Sequence, residues 1–239
     1  MNKTLVFTAT YNEVNNIEIL IKKIAKYSKN VDILVIDDNS PDGTKKVLFN
    51  LKKKIKKLSF IIRKKKLGLD TAHKFAYKFA KQKKYLNLIT LDADLSHDPI
   101  EINKMIKLLK KNEFVIGSRY VPGGRCDMSL PRLMLSIMGN KLIRFLLKIN
   151  CREFTTSYRG FNLKKLKNFD LKEVKVKGYS FFMETIYLLE KNNFKICEIP
   201  INFRNRKFGK SKIPTFEIIR TLFRLINLSF NKYKLSIKK

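Results

Sequence analysis

The stretch Tyr85-Leu86-Asn87-Leu88-Ile89-Thr90-Leu91-Asp92-Ala93-Asp94 decides how this chain folds. An apolar run of strand length, followed at once by two carboxylates, reads as a buried parallel strand over 85–91 ending in a polar cluster. Open α/β sheets bind ligands outside the carboxyl ends of such strands. If the strand persists, side chains alternate and Asp92 and Asp94 point to one side. Two hard oxygen donors there suit Mg²⁺ or Mn²⁺, ions that keep waters and borrow phosphate oxygens. Downstream, Asp98 can cap a helix, Pro99 suits its first position and Glu101 completes a capping box, which predicts a helix over 99–111. Capping accounts for Asp98 to Glu101 and leaves Asp92 and Asp94 unused.

The same rhythm repeats on both sides of this stretch. Residues 4–8 read as a strand, and Ile17, Leu20, Ile21 and Ile24 give the following helix its apolar face. Residues 32–36 are a strand, and Ser40-Pro41 opens a helix through Val47, Leu48 and Leu51. A strand over 58–62, a helix over 69–83 and a strand over 114–118 complete a βαβαβαβαβ run. That run predicts an α/β fold, a mostly parallel sheet with helices on both faces. After Pro122-Gly123-Gly124 the rhythm changes. A long apolar helix is expected over 131–149, then a loop with Thr155, Thr156, Ser157 and Arg159. A helix over 180–192, a strand over 194–203 and a basic loop over 204–212 follow. One domain over 1–213 with a C-terminal amphipathic helix over 214–239 is the economical organisation.

Composition bounds the function. The 239 residues carry 44% hydrophobic and 11% aromatic side chains, as a globular chain does. The formal charge of +32 comes mostly from dispersed lysines and favours anionic partners: phosphorylated substrates, acidic lipids or nucleic acid. A nucleic-acid-binding protein would need a recognition motif or an aromatic-basic patch. Neither is present, so no nucleic-acid partner is expected. No Gly-x-Gly-x-x-Gly follows the first strand, which disfavours a dinucleotide-binding dehydrogenase. Cys126, Cys151 and Cys197 are widely spaced without a Cys-x-x-Cys pair, fitting a reducing compartment. Residues 1–10 pass straight into a strand, so no signal peptide is expected, and no uncharged run reaches ~18 residues, so no spanning helix is expected.

Polar clusters recur at every strand exit: Ala9-Thr10-Tyr11-Asn12-Glu13, Asp37-Asp38-Asn39-Ser40-Pro41-Asp42-Gly43-Thr44, Gly68-Leu69-Asp70-Thr71-Ala72, Asp92-Ala93-Asp94 and Gly117-Ser118-Arg119-Tyr120. All five should face one crevice. In this order they resemble the family 2 inverting glycosyltransferases, and within them are most similar to the dolichol-phosphate (polyprenol-phosphate) mannosyltransferases. The resemblance continues through Arg132-x-x-x-Ser136-x-x-x-Asn140, Thr155 to Arg159, Gly178 to Glu184, and Phe203-x-x-Arg206-x-x-Gly209-x-Ser211-Lys212.

The resemblance implies a GT-A-type, Rossmann-like sheet and a nucleotide-sugar donor, GDP-mannose first. A UDP-sugar, for a glucosyl or N-acetylhexosaminyl transferase, is the alternative. It places Ala9, Tyr11, Glu13, Ile36, Asp38, Asp92, Ala93 and Lys212 on the donor. Asp92, Asp94 and Ser96 are its metal ligands for Mg²⁺ or Mn²⁺. Asp94, Arg119 and Arg206 are the candidate catalytic residues, with Arg119, Arg206 and Lys212 on mobile loops that close over the phosphates. Three departures from the pattern stand out: Ala9 replaces a usual Pro, Ser96 a common Gln, and Glu153 to Arg159 a usual Asp-x-Thr-Ser-Gly-Phe-Arg. Arg132, Ser136 and Asn140 share a helical face and are assigned to the acceptor phosphate.

The implied acceptor is a polyprenyl monophosphate, already ionised because its second pKa is about 6. No general base is then required. The terminal helix has a polar stripe (Glu217, Arg220, Arg224, Asn227, Asn231) and apolar residues around it, flanked by Lys232, Lys234, Lys238 and Lys239. That pattern suits either a membrane surface or packing on the sheet. The expectation is a peripheral enzyme on the cytoplasmic face of a membrane, with room for a separate membrane protein partner.

Overall fold

The computed structural model describes residues 4–178, 180–206, 208 and 216–230. Lys212, Tyr179, Gly209, Ser211 and the lysines after residue 231 lie outside them. In chain order the first half is β1 (Thr4–Thr10), α1 (Val14–Tyr27), β2 (Val31–Asp37), α2 (Thr44–Lys54), β3 (Leu58–Ile62), α3 (Leu69–Gln82), β4 (Asn87–Thr90), α4 (Ile102–Leu109) and β5 (Phe114–Ser118). The second half is β6 (Arg125–Cys126), α5 (Leu130–Leu147), β7 (Arg159–Asn162), α6 (Ser180–Lys191), β8 (Ile196–Pro200), β9 (Asn202–Phe203) and α7 (Phe216–Phe230).

Seven strands form one sheet in the order β3-β2-β1-β4-β7-β5-β8, and β6 pairs with β9 in a small separate ribbon. All pairings in the large sheet are parallel except those of β7, which runs antiparallel between β4 and β5. Period-two alternation divides the core. Leu5, Phe7, Leu34 and Ile36 face α3, α5, α6 and α7, while Val6, Ile33 and Val35 face α1, α2 and α4. The expected α/β architecture with helices on both faces is what the chain adopts.

Four local expectations change. Strand β4 ends at Thr90, not 91, so the alternation expected to align Asp92 and Asp94 does not reach them. Its β7 partner runs out there: Thr90 pairs with Arg159, and the Thr90 hydroxyl donates to the Ser157 carbonyl at 2.5 Å. Helix α2 starts at Thr44, not at Ser40-Pro41. Ser40 instead donates to Asp37, and the Asp42 carboxylate accepts from Val14 N and Thr44 N, which holds 40–43 as a loop. The strand expected over 194–203 is broken at Ile201 into two strands that join different sheets. Strand β7 itself, expected as the end of a loop, is short and contains Gly160. A Cβ there would come within 3.0 Å of Leu109 on α4.

Helix α7 is fastened to the domain through Glu217 and Arg224 of its polar stripe and two leucines, while Arg220 and Asn227 stay exposed. Arg224 Nε meets Glu184 Oε2 of α6 at 2.8 Å, Thr221 and Ser180 share a hydrogen bond at 3.0 Å, and Leu225 and Leu228 are buried beside them. Ile219, Leu222, Phe223, Ile226 and Phe230 face outward. Glu184 is almost wholly buried, so removing one partner leaves a charge without compensation. Arg224→Met should therefore cost about 3 kcal/mol in urea unfolding, and Glu184→Met with Arg224→Met should restore most of it. A neutral Arg224→Met would contradict this anchoring.

Candidate active site

The exits of β1 and β2 are stitched together by side chains. Asp37, fully buried, accepts from the Thr10 hydroxyl at 2.8 Å and from Ser40 N at 2.8 Å. Asn12 N donates to Ser40 Oγ, Glu13 N to Thr44 Oγ1 and Val14 N to Asp42, so the N-terminus of α1 is satisfied from the neighbouring loop. Asp38 accepts from Arg63 Nη1 at 2.9 Å and from Gly68 N at 3.0 Å. This pairing ties the exits of β2 and β3. Tyr11 lies under Lys66 Nζ, 4.2 Å from the ring centroid, and Glu13 accepts from Asn16 Nδ2 at 2.7 Å. The Ile36 and Ala93 side chains fill the core, leaving only their main chain for a donor. Ala9 is half-buried against the same core.

Beyond β4 the chain makes a tight turn with Leu95 at φ 66°. Buried Asp94 stabilises it, its Oδ1 accepting from Ser96 N at 3.1 Å and Ser96 Oγ at 2.5 Å. Ser96 is fully buried with its hydroxyl on Asp94, an orienting contact for the carboxylate that the sequence assigned to metal ligation. The other oxygen, Oδ2, meets Arg206 Nε at 3.1 Å. Asp92 keeps 35% of its side chain exposed. Burial raises its pKa, and the nearby Asp94 charge adds to this against the opposing influence of His97. The buried Ser157 hydroxyl makes no hydrogen bond among the described residues, and its closeness to Asp92 acts to lower that carboxyl's pKa. His97 is wholly buried, which lowers its pKa and keeps it neutral. Its Nδ1 accepts from Asp92 N at 3.3 Å, which leaves the proton on Nε2 for Thr156 Oγ1 at 3.0 Å.

Arg119, expected on a mobile loop, is instead locked. Its Nε and Nη2 make a bidentate pair with Glu153 at 2.7 and 2.8 Å, and Nη2 reaches Thr155 Oγ1 at 2.6 Å. Burial would raise Glu153, but the Arg119 guanidinium and the Thr155 donors hold it below its ordinary value. Gly124 is required beneath this corner, since a Cβ there would sit 2.6 Å from the Arg119 carbonyl.

Of the three residues assigned to the acceptor, Arg132 is exposed, Ser136 Oγ is 2.7 Å from Tyr120 OH, and buried Asn140 accepts from Phe154 N at 2.9 Å. Asn140 therefore fastens α5 to the 153–156 loop. Arg206 follows an anchored segment: Arg204 N donates to Ser96 O at 3.0 Å and Arg204 Nη2 meets Asp98 at 3.2 Å. Further on, the Phe208 carbonyl accepts from Asn16 Nδ2 at 3.4 Å.

Two residues central to this geometry have no local sequence signature as site residues, Arg63 and Glu153. Each acts through a partner 25 or 34 residues away. The Glu153-for-Asp departure was the one visible hint. Among the described residues no three His, Cys, Asp or Glu side chains converge to hold a metal. The donor set is two carboxylates and hydroxyls, all oxygen, which fits a hard cation completed by phosphate oxygens.

The family model for glycosyl transferase family 2 matches residues 5–169. The chain is 33% identical over 226 residues to a polyprenol monophosphomannose synthase of Mycolicibacterium smegmatis, spanning 93% of this chain and 85% of that one. It is 30% identical to an undecaprenyl-phosphate mannosyltransferase of Micrococcus luteus, spanning 88% and 87%. Among solved structures, glucosyl-3-phosphoglycerate synthase from Mycobacterium tuberculosis, in complex with Mn²⁺, UDP and glucosyl-3-phosphoglycerate, superposes with a TM-score of 0.67 at 14% identity, over 95% and 78% of the two chains. A mannosyltransferase from Pyrobaculum calidifontis, in complex with GDP-Man and Mn²⁺, gives 0.57 at 15%, over 93% and 69%.

The Glu153 pair makes a prediction with a definite sign. Its carboxyl is held below the ordinary 4.5, so its contribution is present above that pH and lost as pH falls through the lower folded value. Glu153→Gln, which leaves Arg119 buried and unpaired, should cost about 3 kcal/mol at pH 7 and flatten the acid dependence of unfolding. Equal stability at pH 7 and an unchanged acid profile would contradict it.

Proposed function

The chain belongs to glycosyl transferase family 2 and is a glycosyltransferase, and from that premise we propose that it transfers mannose from GDP-mannose to a polyprenyl monophosphate with inversion. The observation that carries the reading is the meeting of Asp92, buried Asp94 and Arg206 beyond β4, in a chain whose relatives are named for polyprenyl-phosphate mannosylation. Asp92 and Asp94 would hold Mg²⁺ or Mn²⁺, and a bound cation supplies neutralisation of the charge that develops on the leaving diphosphate. Ser96 and His97 orient those two aspartates. Arg206 supplies a further cation at the same place. Lys212, outside the described residues, keeps its assignment to the donor.

Tyr11, Glu13 and Asp38 line the β1 and β2 exits, where the nucleoside is proposed to lie. Arg119 acts through Glu153, fixing the 153–156 loop against α5. Arg132 and Ser136 face the acceptor phosphate, with Ser136 held by Tyr120. That phosphate is ionised at neutral pH and attacks in line, so no protein base takes a proton.

The outward faces of α5 and α7 are adjacent and apolar, with Phe145 and Phe223 77% and 70% exposed. No helix among the described residues is long and apolar enough to cross a membrane. We assign these faces to the cytoplasmic surface of a bilayer, where each nearby Lys or Arg adds about 1 kcal/mol. The 1–213 catalytic domain would then meet its lipid through α5 and the 214–239 extension, alone or with a membrane protein partner. Phe145→Asp with Phe223→Asp should abolish co-sedimentation with anionic vesicles, and undiminished binding would remove this face from the account.

A donor panel tests the reaction. GDP-mannose should label polyprenyl phosphate in Mn²⁺ or Mg²⁺, and Asp94→Asn should lower the rate at least about 10²-fold. Transfer from a UDP-sugar instead would replace the donor and keep the site. No transfer from any nucleotide sugar, or wild-type rates in Asp94→Asn, would overturn the proposal.

A further inference from the structure

We propose that Arg206 is a counter-ion that holds the place of the metal on Asp94, so that the site takes up a divalent cation more tightly together with a nucleoside diphosphate than alone. This deepens the proposed function and rests on its assignment of Asp94 to the metal.

The two oxygens of Asp94 are differently committed. Oδ1 takes two hydrogen bonds from Ser96, whose amide is part of a turn and whose side chain is wholly buried. Oδ2 takes Arg206 at 3.1 Å, and the Arg206 side chain is 27% exposed. The oxygen that can be yielded is therefore Oδ2, and yielding it means moving a cation aside. A divalent cation brought to Oδ2 would be repelled by the guanidinium already in contact with that oxygen. Asp92, a third exposed, presents no such obstacle.

The backbone around Arg206 is held on both sides, so a displacement falls to the side chain. Up to residue 204 the chain is fastened to the metal loop by Arg204 N on Ser96 O, Arg204 Nη2 on Asp98 and Phe203 against the His97 ring at 5.4 Å. Arg206 lies two residues past that anchor and two before Phe208, whose carbonyl accepts from Asn16 Nδ2 at 3.4 Å. A bare cation arriving at Asp94 would break the ion pair with Arg206 and set a second positive charge beside the partly buried guanidinium, which is costly. A diphosphate removes the cost by offering charge-assisted acceptors in its place. Metal and nucleotide thus become coupled through one side chain, and the coupling is reciprocal.

The experiment measures Mn²⁺ binding to the full chain by the electron paramagnetic resonance of free Mn²⁺, with and without GDP. Wild type should bind bare Mn²⁺ weakly and gain about tenfold or more with GDP, a usual coupling size. R206M and R206Q should bind bare Mn²⁺ about tenfold more tightly than wild type, with a smaller gain from GDP. R206K, which keeps the charge, should stay near wild type. If R206M and R206Q bind bare Mn²⁺ no better than wild type, while D94N loses Mn²⁺, the place-holder is overturned and the metal site stands. If wild type takes up no Mn²⁺ even with GDP, the metal assignment itself fails and this inference falls with it.

Discussion

The buried Glu153 carboxylate is the contact on which the rest of the site depends. It takes Arg119 through two nitrogens and also accepts from Thr155 N and Thr156 N, while its own amide is held by Glu198 of β8. A wholly buried charge survives only when its lone pairs are filled in this way. The same loop presents Thr156 to His97, and His97 holds the amide of Asp92. One short segment therefore fixes the exit of β5, the turn beyond β4 and, through Asn140, the helix α5. Strand β7 makes this possible by inserting antiparallel between β4 and β5, which brings the 153–158 loop across the strand ends. The fully buried Arg159, donating to the carbonyls of Phe154, Thr156 and Phe182, pins the root of that loop.

The second constraint is the mounting of α7. Fastened through Arg224 on Glu184 and through buried Leu225 and Leu228, the helix leaves Ile219, Leu222, Phe223, Ile226 and Phe230 outward. Beside it, α5 does the same with Leu130, Met134, Leu135, Met138 and Phe145. Exposed apolar area of that extent marks an interaction surface. The proposed lipid acceptor would give the two helices a shared reason to be there, since Arg132 and Ser136, assigned to its phosphate, lie on α5 itself.

Much of the fold was legible because its strands are continuous apolar runs and its helices have clean 3.6-residue faces. Ile17, Leu20, Ile21 and Ile24 of α1 are all buried, as their spacing required. What escaped were features set by partners distant in sequence. Ser40-Pro41 looked like a helix start, yet Asp37 and Asp42 claim the donors around it. Arg159-Gly160-Phe161-Asn162 has no strand pattern, and its two neighbours in the sheet make it one. The site shows the same division. Clusters at the strand exits announced Asp92, Asp94 and Asp38. The buried partners of Arg119 and Ser96, and the meeting of Arg206 with Asp94, follow only from tertiary geometry.

The central claim is that Asp92 and Asp94 receive a metal-bound diphosphate while the Glu153 scaffold stays fixed. A crystal structure of the chain with GDP-mannose and Mn²⁺ tests it most directly. The account predicts Mn²⁺ on Asp92 and Asp94, Arg206 on a phosphate oxygen, and Arg119 still paired with Glu153. Mn²⁺ and the diphosphate bound elsewhere, with Arg206 still on Asp94, would contradict it.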